Sequence, residues 1–324
     1  MNIGDNAEPL LTPKRQELLA KAGVTGYSPV VQAKIRQGGH TGIPCLRIYV
    51  LKKIAADALA PPDKVPSEIE GVPTDVIEVG EFDIQWRWPR SRPEILVGPS
   101  VQFIGENTGR VRPLMPGYSI GHHRITAGTA GAIGLLNGWP VVISNSHVLA
   151  RSNSIQTQRA SVYDPIVQPG RADGGRAGRD TVAWLAGWVP LDEAGVNRAD
   201  LAWAWLGQNM RWRGGQPGIG WVAGRREAEF GLYVQKTGRS TGHTKGGYIF
   251  DPRVFMEVNF GFAKLQFEDV FMVQRMSEPG DSGSLIVTDP GNEAVGLVFA
   301  GSPQFTLGCR LKYLPPEITL VAAI

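Results

Sequence analysis

The stretch Glu278-Pro279-Gly280-Asp281-Ser282-Gly283-Ser284-Leu285 places small and turn-forming residues directly before an apolar run. Pro279 fixes its own φ, and the two glycines adopt backbone conformations that a Cβ would disfavour. Such a turn can direct the backbone N–H groups of Gly280 and Ser282 at one point beside the Ser282 hydroxyl, as in an oxyanion hole. A Gly/Ser-rich hairpin turn without chemistry is the alternative interpretation of the same residues.

A serine hydroxyl becomes a nucleophile only when a base removes its proton and a third group orients that base. Upstream, the β-branched run 141–143 leads through a polar break to His147, which apolar residues follow. Between this histidine and Ser282, Asp200 stands at the head of the apolar stretch 201–204. The order His147, Asp200, Ser282 therefore predicts a catalytic triad.

Other titratable groups compete with these residues. Only Asp200 enters an alternating apolar strand, where burial can hold a carboxylate against an imidazole N–H. The adjacent His122 and His123 face opposite sides of a predicted strand, so we expect both to be structural. The remaining acids considered as orienting groups lie in polar, loop-like surroundings: Asp173, Asp180, Asp192 and Glu193.

Composition limits the class of protein. The 41 glycines and 24 prolines favour a turn-rich, mainly β body, and a net charge of +3 with interspersed charges gives no basic patch for nucleic acid. The two cysteines, Cys45 and Cys309, cannot build a disulfide framework, so we expect two buried free thiols. The N-terminal residues lack a signal-peptide pattern, and no apolar run reaches membrane-spanning length. We expect a cytoplasmic protein, or one exported by a route that the sequence does not show, with no membrane partner.

Three parts are predicted along the chain. Residues 1–80 form a small α+β unit, with a helix that Thr12 caps and Gly23 ends, and with strands at 27–35, 46–51 and 72–79. Residues 81–111 form a connector. Residues 112–324 contain short strands separated by glycine turns, at the spacing expected of a barrel built from two β-halves.

Two stretches suggest nucleic-acid or nucleotide binding. Residues 82–92 interleave tryptophans with arginines, as in single-strand binding, but no further basic cluster accompanies them, so we favour a connector that packs on the barrel. Residues 233–247 have no glycine directly before Lys245 and no Ser or Thr after it, which excludes a phosphate loop. We therefore expect no nucleic-acid partner, no cofactor and no metal.

These motifs together resemble the trypsin-like (chymotrypsin-fold) serine proteases, whose nucleophile signature matches Gly280 to Gly283. Segments 71–76, 144–149 and 279–287 are most similar to the narrow-leaf-type branch known from plants and bacteria, and the resemblance covers about 24–80 and 112–303. It implies a two-β-barrel chymotrypsin-like protease fold preceded by a small α+β N-terminal domain. Ser146 departs from the asparagine that is usual in this branch.

The resemblance also implies how substrate would bind. The floor of the primary specificity pocket lies six residues before the nucleophile, where this chain has Met276. An apolar thioether offers no charge to a buried cation, so we expect cleavage after apolar residues such as Leu or Met. The strand Phe299-Ala300-Gly301 would pair with the substrate backbone by strand addition.

Three functions follow from these features. The first is a serine endopeptidase that acts on protein or peptide substrates through an acyl-enzyme on Ser282. The second is a latent or inactive protease-fold binding or assembly protein, and the third is an esterase that uses the same groups. We expect the N-terminal unit to be a regulatory or assembly head, through which a homo-oligomer or an activating partner would bind.

Overall fold

The computed structural model describes residues 1–36, 39–84 and 106–321, and the backbone of 102–104. It is mainly β, and its described strands form two sheets, which confirms the predicted mainly β class. The separate α+β N-terminal domain stays a prediction. Most of the predicted Trp/Arg segment, including Trp86 and Trp88, lies outside the described residues.

Strands dominate every part of the described chain. The N-terminal part contains α1 (Glu8–Leu11), α2 (Arg15–Leu19), β1 (Val24–Tyr27), β2 (Gln32–Arg36), β3 (Gly39–Val50), β4 (Glu68–Ile69), β5 (Val72–Glu78) and β6 (Phe82–Asp83). The middle part contains β7 (Gln102–Ile104), β8 (Ser119–His122), β9 (Gly128–Thr129), β10 (Ala132–Leu136), β11 (Trp139–Ser144), α3 (Ser146–Leu149), β12 (Pro165–Val167), β13 (Thr181–Trp188), β14 (Val196–Asn197) and β15 (Ala202–Leu206). The C-terminal part contains β16 (Gly224–Arg225), β17 (Tyr233–Gly238), β18 (Gly242–Asn259), β19 (Lys264–Gln274), β20 (Leu285–Thr288), β21 (Glu293–Gly301), β22 (Phe305–Arg310) and β23 (Ile318–Leu320). Single 3-10 turns lie at Pro61–Asp63, Arg171–Asp173 and Leu311–Tyr313.

The first sheet is built around the β10–β11 hairpin. Of the described strands, eight follow the order β23-β10-β11-β15-β13-β12-β8-β9. Asn137 and Gly138 have φ of +49° and +83°, and they join the paired residues Leu136 and Trp139. Two successive positive φ angles are those of a type I′ turn, whose twist matches the strands that it connects. This hairpin fixes the register of β11, the strand that leads to His147.

The side chains of β11 alternate between two cores. Val142 packs into the core of the first sheet with Ile133, while Val141 and Ile143 join the core that also contains Leu285 and other residues of the second sheet. Because successive strand residues face opposite sides, β11 holds the two sheets together. The head of α3 is therefore fixed at their junction.

The second sheet is larger and includes the N-terminal unit. Among the described strands its main path is β14-β19-β22-β21-β20-β17-β18-β1-β3-β5-β4. The antiparallel pair β1–β18 has the register Gly26 to Met256 and Tyr27 to Phe255, and the Tyr27 and Phe255 rings stack with centroids 5.0 Å apart. A Cβ on Gly26 would lie 2.3 Å from Phe255 O, so only glycine permits this approach.

The N-terminal elements differ in detail from those predicted. Within the expected helix from Pro13 to Gly23, only α2 is helical, and Lys14 rather than Thr12 is its N-cap. The helix α1 lies before the predicted start and ends at Leu11, because Pro13 has no N–H with which to continue it. The expected strand 27–35 is interrupted between Tyr27 and Gln32, where Pro29 likewise cannot donate to a ladder. Along the described ranges, no helix combines the length and apolar character needed to cross a membrane.

Candidate active site

The nucleophile turn (residues 278–284) connects β19 to β20 and packs on the first sheet. Gly280 and Gly283 have φ of +98° and +94°, in the left-handed region. A Cβ on Gly283 would lie 2.3 Å from Thr129 O. Thr129 donates its N–H to Ser282 O at 2.8 Å and its Oγ1–H to Gly280 O at 2.9 Å. The two glycines thus allow the turn to lie directly against the end of β9.

Two backbone N–H groups of the turn have no acceptor among the residues that the structure describes. The N–H of Asp281 is used within the turn, and that of Gly283 donates to Val298 O at 2.8 Å. Within the described part of the chain, the N–H groups of Gly280 and Ser282 donate to no acceptor. Two free donors that flank a nucleophile are what an oxyanion hole requires.

His147 lies in α3, directly after β11, and is held by Asp200. Its Nδ1 hydrogen-bonds Asp200 Oδ2, and its backbone N–H donates to Asp200 Oδ1 at 3.0 Å. Asp200 is completely buried, and Asn145 Nδ2 donates to its carbonyl oxygen at 2.8 Å. Burial raises the pKa of Cys309 to about 12, so its Sγ, 3.7 Å from the same carbonyl, is a neutral donor. The carboxylate therefore fixes both the position and the tautomer of the imidazole.

Val148, the residue after His147, and Ser282 both lie against Gly128. A Cβ on Gly128 would lie 2.5 Å from Val148 Cγ2 and 3.0 Å from Ser282 O. No hydrogen bond joins His147 Nε2 to Ser282 Oγ, and among the described residues this buried nitrogen has no partner. Catalytic hydrogen bonds are often long before substrate binds. The His147 ring is also covered by Phe260, perpendicular to it with centroids 6.2 Å apart.

A buried ion pair holds the centre of the nucleophile turn. Asp281 Oδ2 lies 2.8 Å from Nζ of Lys236 on β17, and neither side chain is exposed. The same oxygen accepts hydrogen bonds from Thr241 Oγ1 (2.7 Å) and Glu278 N (3.0 Å), and Oδ1 accepts one from Ser240 N (2.8 Å). Burial lowers the pKa of Lys236, and the Asp281 carboxylate opposes that effect. Because Asp281 lies between the two free N–H groups, these bonds fix the direction of both.

The competing acids are paired elsewhere. Asp173 accepts two hydrogen bonds from Arg239, each 2.6 Å long. Asp180 accepts hydrogen bonds from Arg179 at 2.9 and 2.7 Å. Among the described residues, neither carboxylate contacts His147.

His122 and His123 lie outside this site. His122 Nε2 is 3.1 Å from Asp164 Oδ2, and its Nδ1 accepts the N–H of Arg124 at 3.0 Å. Burial lowers the pKa of His122 to about 4, so its ring is neutral in the folded protein at neutral pH. This environment is consistent with a structural role, but the expectation that His122 and His123 face opposite sides of a strand is wrong. Their rings contact each other edge to face, with centroids 4.6 Å apart, because β8 ends at His122.

The residues predicted to bind substrate are buried close to the turn. Met276 belongs to a small core, and its Sδ lies 2.8 Å from the position that a Cβ on Gly247 would occupy. Phe299 is buried, and Ala300 and Gly301 pair with β22. Their roles in specificity stay predictions.

Within the described residues, neither a set of metal ligands nor an exposed thiol lies in the site. No cluster of three or more His, Cys, Asp or Glu suited to a metal ion occurs within the described ranges. Cys45 and Cys309 are free and buried, as expected from the sequence.

Two residues that support the site were not identified from the sequence. Thr129 and Lys236 each reach the nucleophile turn from strands far away along the chain. A buried aspartate beside the nucleophile requires a counter-ion, and this requirement is the signal that could have pointed to a buried cation. Nothing in the sequence pattern of β17 singles out Lys236 as that cation.

Comparisons with known proteins give similarity of shape only. No family model matches the chain, and no curated protein matches it. Protease A of Thermobifida fusca is 15% identical, with a TM-score of 0.43, and the match covers 65% of this chain and 99% of that chain. A Nocardiopsis protease is 16% identical, with a TM-score of 0.46, and the match covers 64% of this chain and 98% of that chain. A chymotrypsin of Cellulomonas bogoriensis is 15% identical, with a TM-score of 0.43, and the match covers 65% of this chain and 99% of that chain. Identities and scores of this size carry no information about activity or specificity.

Proposed function

We propose that the protein is a serine endopeptidase with the triad His147, Asp200 and Ser282. The observation that carries this proposal is the hydrogen-bonded His147–Asp200 pair beside a serine whose turn holds two free N–H groups. A scaffold protein would have no physical need for an oriented imidazole and an oxyanion hole at one place.

Each group has one role in the reaction. His147 Nε2 takes the proton of Ser282 Oγ as the oxygen attacks the substrate carbonyl, and Asp200 stabilises the imidazolium that forms. The N–H groups of Gly280 and Ser282 bind the oxyanion of the tetrahedral intermediate. His147 then protonates the leaving amine, and water hydrolyses the acyl-enzyme by the reverse sequence.

The proposal also covers the substrate, the location of the enzyme and the role of the N-terminal unit. The substrate is an extended peptide that pairs with Phe299, Ala300 and Gly301 and is cut after an apolar residue next to Met276. The resemblance to the narrow-leaf-type branch supports a non-secreted, cytoplasmic enzyme, and the small net charge of +3 supports the absence of a nucleic-acid partner. We propose no cofactor and no membrane partner. The N-terminal unit would then bind a second copy or an activating partner.

A latent protein is the second candidate, and one observation favours it. His147 Nε2 is buried and unpaired within the described residues, so the base is covered in this conformation. In a latent protein, peptide turnover would require this cover to move.

Peptide digestion tests the proposal. The purified protein is incubated with a complex peptide pool and, separately, with a nitrophenyl ester, and the Ser282→Ala protein serves as the control. We expect new peptide termini with the wild type only. Equal cleavage by both proteins would overturn the proposal, and ester turnover without peptide cleavage would favour the esterase.

A further inference from the structure

One edge of β21 changes its partner close to the nucleophile. Along the first half of the strand, β20 pairs with it through Leu285 and Leu297. Beyond Val298, this edge has no further partner from β20, because the chain before β20 forms the nucleophile turn. On the opposite edge, β22 pairs with β21 as far as Gly301 and Thr306. The part of β21 that is predicted to receive substrate therefore has an edge that β20 does not use.

The chain itself occupies this edge. Asp83 of β6 pairs with Gly301 in antiparallel orientation. Phe82 and Asp83 also pair, in parallel, with Val258 and Asn259 at the end of β18. The N–H of the next residue, Ile84, donates to Asn259 O at 3.2 Å.

The side chains of this short segment are anchored as those of a bound peptide would be. Phe82 and Ile84 are 0% and 5% exposed, and both belong to the core that contains Phe299 and Ala300. Residues two apart on a strand point the same way, so an apolar side chain enters the core on either side of the more exposed Asp83. The slot therefore suits an extended segment with apolar side chains at two alternate positions.

The direction of the segment is that of a substrate. Val298, the β21 residue before Phe299, accepts the N–H of Gly283 at 2.8 Å, so β21 meets the nucleophile turn there. A chain antiparallel to β21 that passes Gly301 first runs towards Val298 and thus towards Ser282. From Phe82 to Ile84, the protein's own chain runs in this direction.

The end of β18 that pairs with this segment also leads to a contact with the catalytic base. Asn259 is followed by Phe260, which packs on the His147 ring. Phe82 and Ile84 share a core with Phe260, and His147 Nε2 is buried. The segment is thus paired with the β18 tip, and the residue after that tip contacts the His147 ring.

We propose that Phe82–Ile84 is a built-in competitor that occupies the subsites for the substrate residues preceding the scissile bond. The inference rests on the proposed function. It deepens that function by assigning the substrate class, an extended peptide with apolar side chains at two alternate positions. Substrate binds only when the segment leaves, so occupancy of the slot raises KM.

The N-terminal unit is connected to this segment. A Cβ on Gly80 would lie 2.8 Å from Pro303 Cδ, and Glu78 Oε1 accepts a hydrogen bond from Gln304 Nε2 at 3.4 Å. Glu78 belongs to β5, and Pro303 and Gln304 directly follow the substrate edge. A movement of the N-terminal unit would therefore pull on the competitor.

Amide hydrogen exchange of the full chain tests the proposal. The Ile84 amide is compared in the free protein, after reaction with a small fluorophosphonate, and with the peptidyl boronate Ac-Phe-Ala-Ile-Leu-boronate on Ser282. We expect the boronate to speed exchange at Ile84 by about tenfold or more, because it takes the same edge, and the fluorophosphonate to leave it unchanged. Unchanged exchange with the boronate bound would overturn the inference alone. Absence of both adducts would overturn the proposed function and the inference with it.

A pair of variants gives a kinetic test. Ile84→Gly weakens the competitor, and Ile69→Gly removes a side chain of similar burial (4% exposed) elsewhere in the N-terminal unit. We expect Ile84→Gly to lower KM for a peptide by about tenfold at constant kcat, and Ile69→Gly to leave KM unchanged. An equal KM in the two variants, or no boronate inhibition of an Ile84→Gly protein that fluorophosphonate labels, would overturn the inference.

Discussion

Lys236 Nζ lies 2.8 Å from Asp281 Oδ2, and both side chains are completely buried beneath the nucleophile turn. The cation that holds the oxyanion turn thus comes from β17, within the same sheet. The charge needed to order this turn is already in place in the chain, so any latency would have to arise elsewhere, at the covered His147.

Lys236→Met keeps the side-chain length and removes the charge. We expect the free energy of unfolding to fall by about 3–5 kcal/mol, because Asp281 stays buried without its cation. Fluorophosphonate labelling of Ser282 should also slow, because the oxyanion N–H groups lose their fixed direction. Urea unfolding and labelling rates measure both effects. Lys245→Met, at an exposed position of β18, is the control, and equal stability of the two variants would contradict the role of the pair.

Asp200→Asn should lower peptide turnover by about 10⁴-fold, the loss that this change causes in the chymotrypsin family, because the amide favours the wrong imidazole tautomer. Asp180→Asn is the control, since Asp180 pairs with Arg179. Steady-state kinetics on both variants decide the assignment. If Asp180→Asn is the inactive variant while Asp200→Asn turns over normally, the assignment of Asp200 as the orienting acid is wrong.

His122 should make the folded protein less stable in acid. Its pKa falls from 6.5 to about 4 on folding, so between these values the unfolded chain binds a proton that the folded chain excludes. Stability therefore decreases as the pH falls through this window, by at most about 3 kcal/mol at 1.36 kcal/mol per pKa unit. Urea unfolding at several pH values should show a shallower decrease for His122→Gln. The same pH dependence in both proteins would contradict this origin.

Local sequence was enough to predict the parts of the site that depend on local geometry. The nucleophile turn requires glycine on both sides of an Asp-Ser pair, and Asp200 is recognisable because a burying strand begins directly after it. The type of fold follows from glycine-punctuated short strands. None of these features needs information about distant residues.

Pairings across the chain were beyond the sequence pattern. Lys236 and Asp281 meet only because β17 and the turn pack together, and any of several basic residues would satisfy the same local pattern. The pairing of β1 with β18 depends on the close approach of the two backbones at Gly26. In the sequence, nothing distinguishes Gly26 from any other glycine. The sequence predicts that Phe82 lies in a connector, because a two-residue strand that pairs with two distant strands, β18 and β21, carries no periodicity of its own.

Substrate preference gives a further prediction. Met276 and the apolar stretch 297–301 of β21 offer no carboxylate to a basic side chain, so cleavage should follow Leu, Met or similar residues. Mass spectrometry of a peptide-library digest identifies the cut sites, and a digest with Ser282→Ala removes background cleavage. Predominant cleavage after Lys or Arg would contradict the assignment of Met276 to the pocket floor.

The most direct test of the central claim is covalent labelling at Ser282. A fluorophosphonate reacts only with a serine that a base activates, and tandem mass spectrometry locates the adduct. We expect one adduct, on Ser282, in the wild type, and its loss in Ser282→Ala and in His147→Ala while both variants stay folded. No adduct on Ser282, or equal labelling of the His147→Ala protein, would contradict the claim that this chain carries a working serine nucleophile.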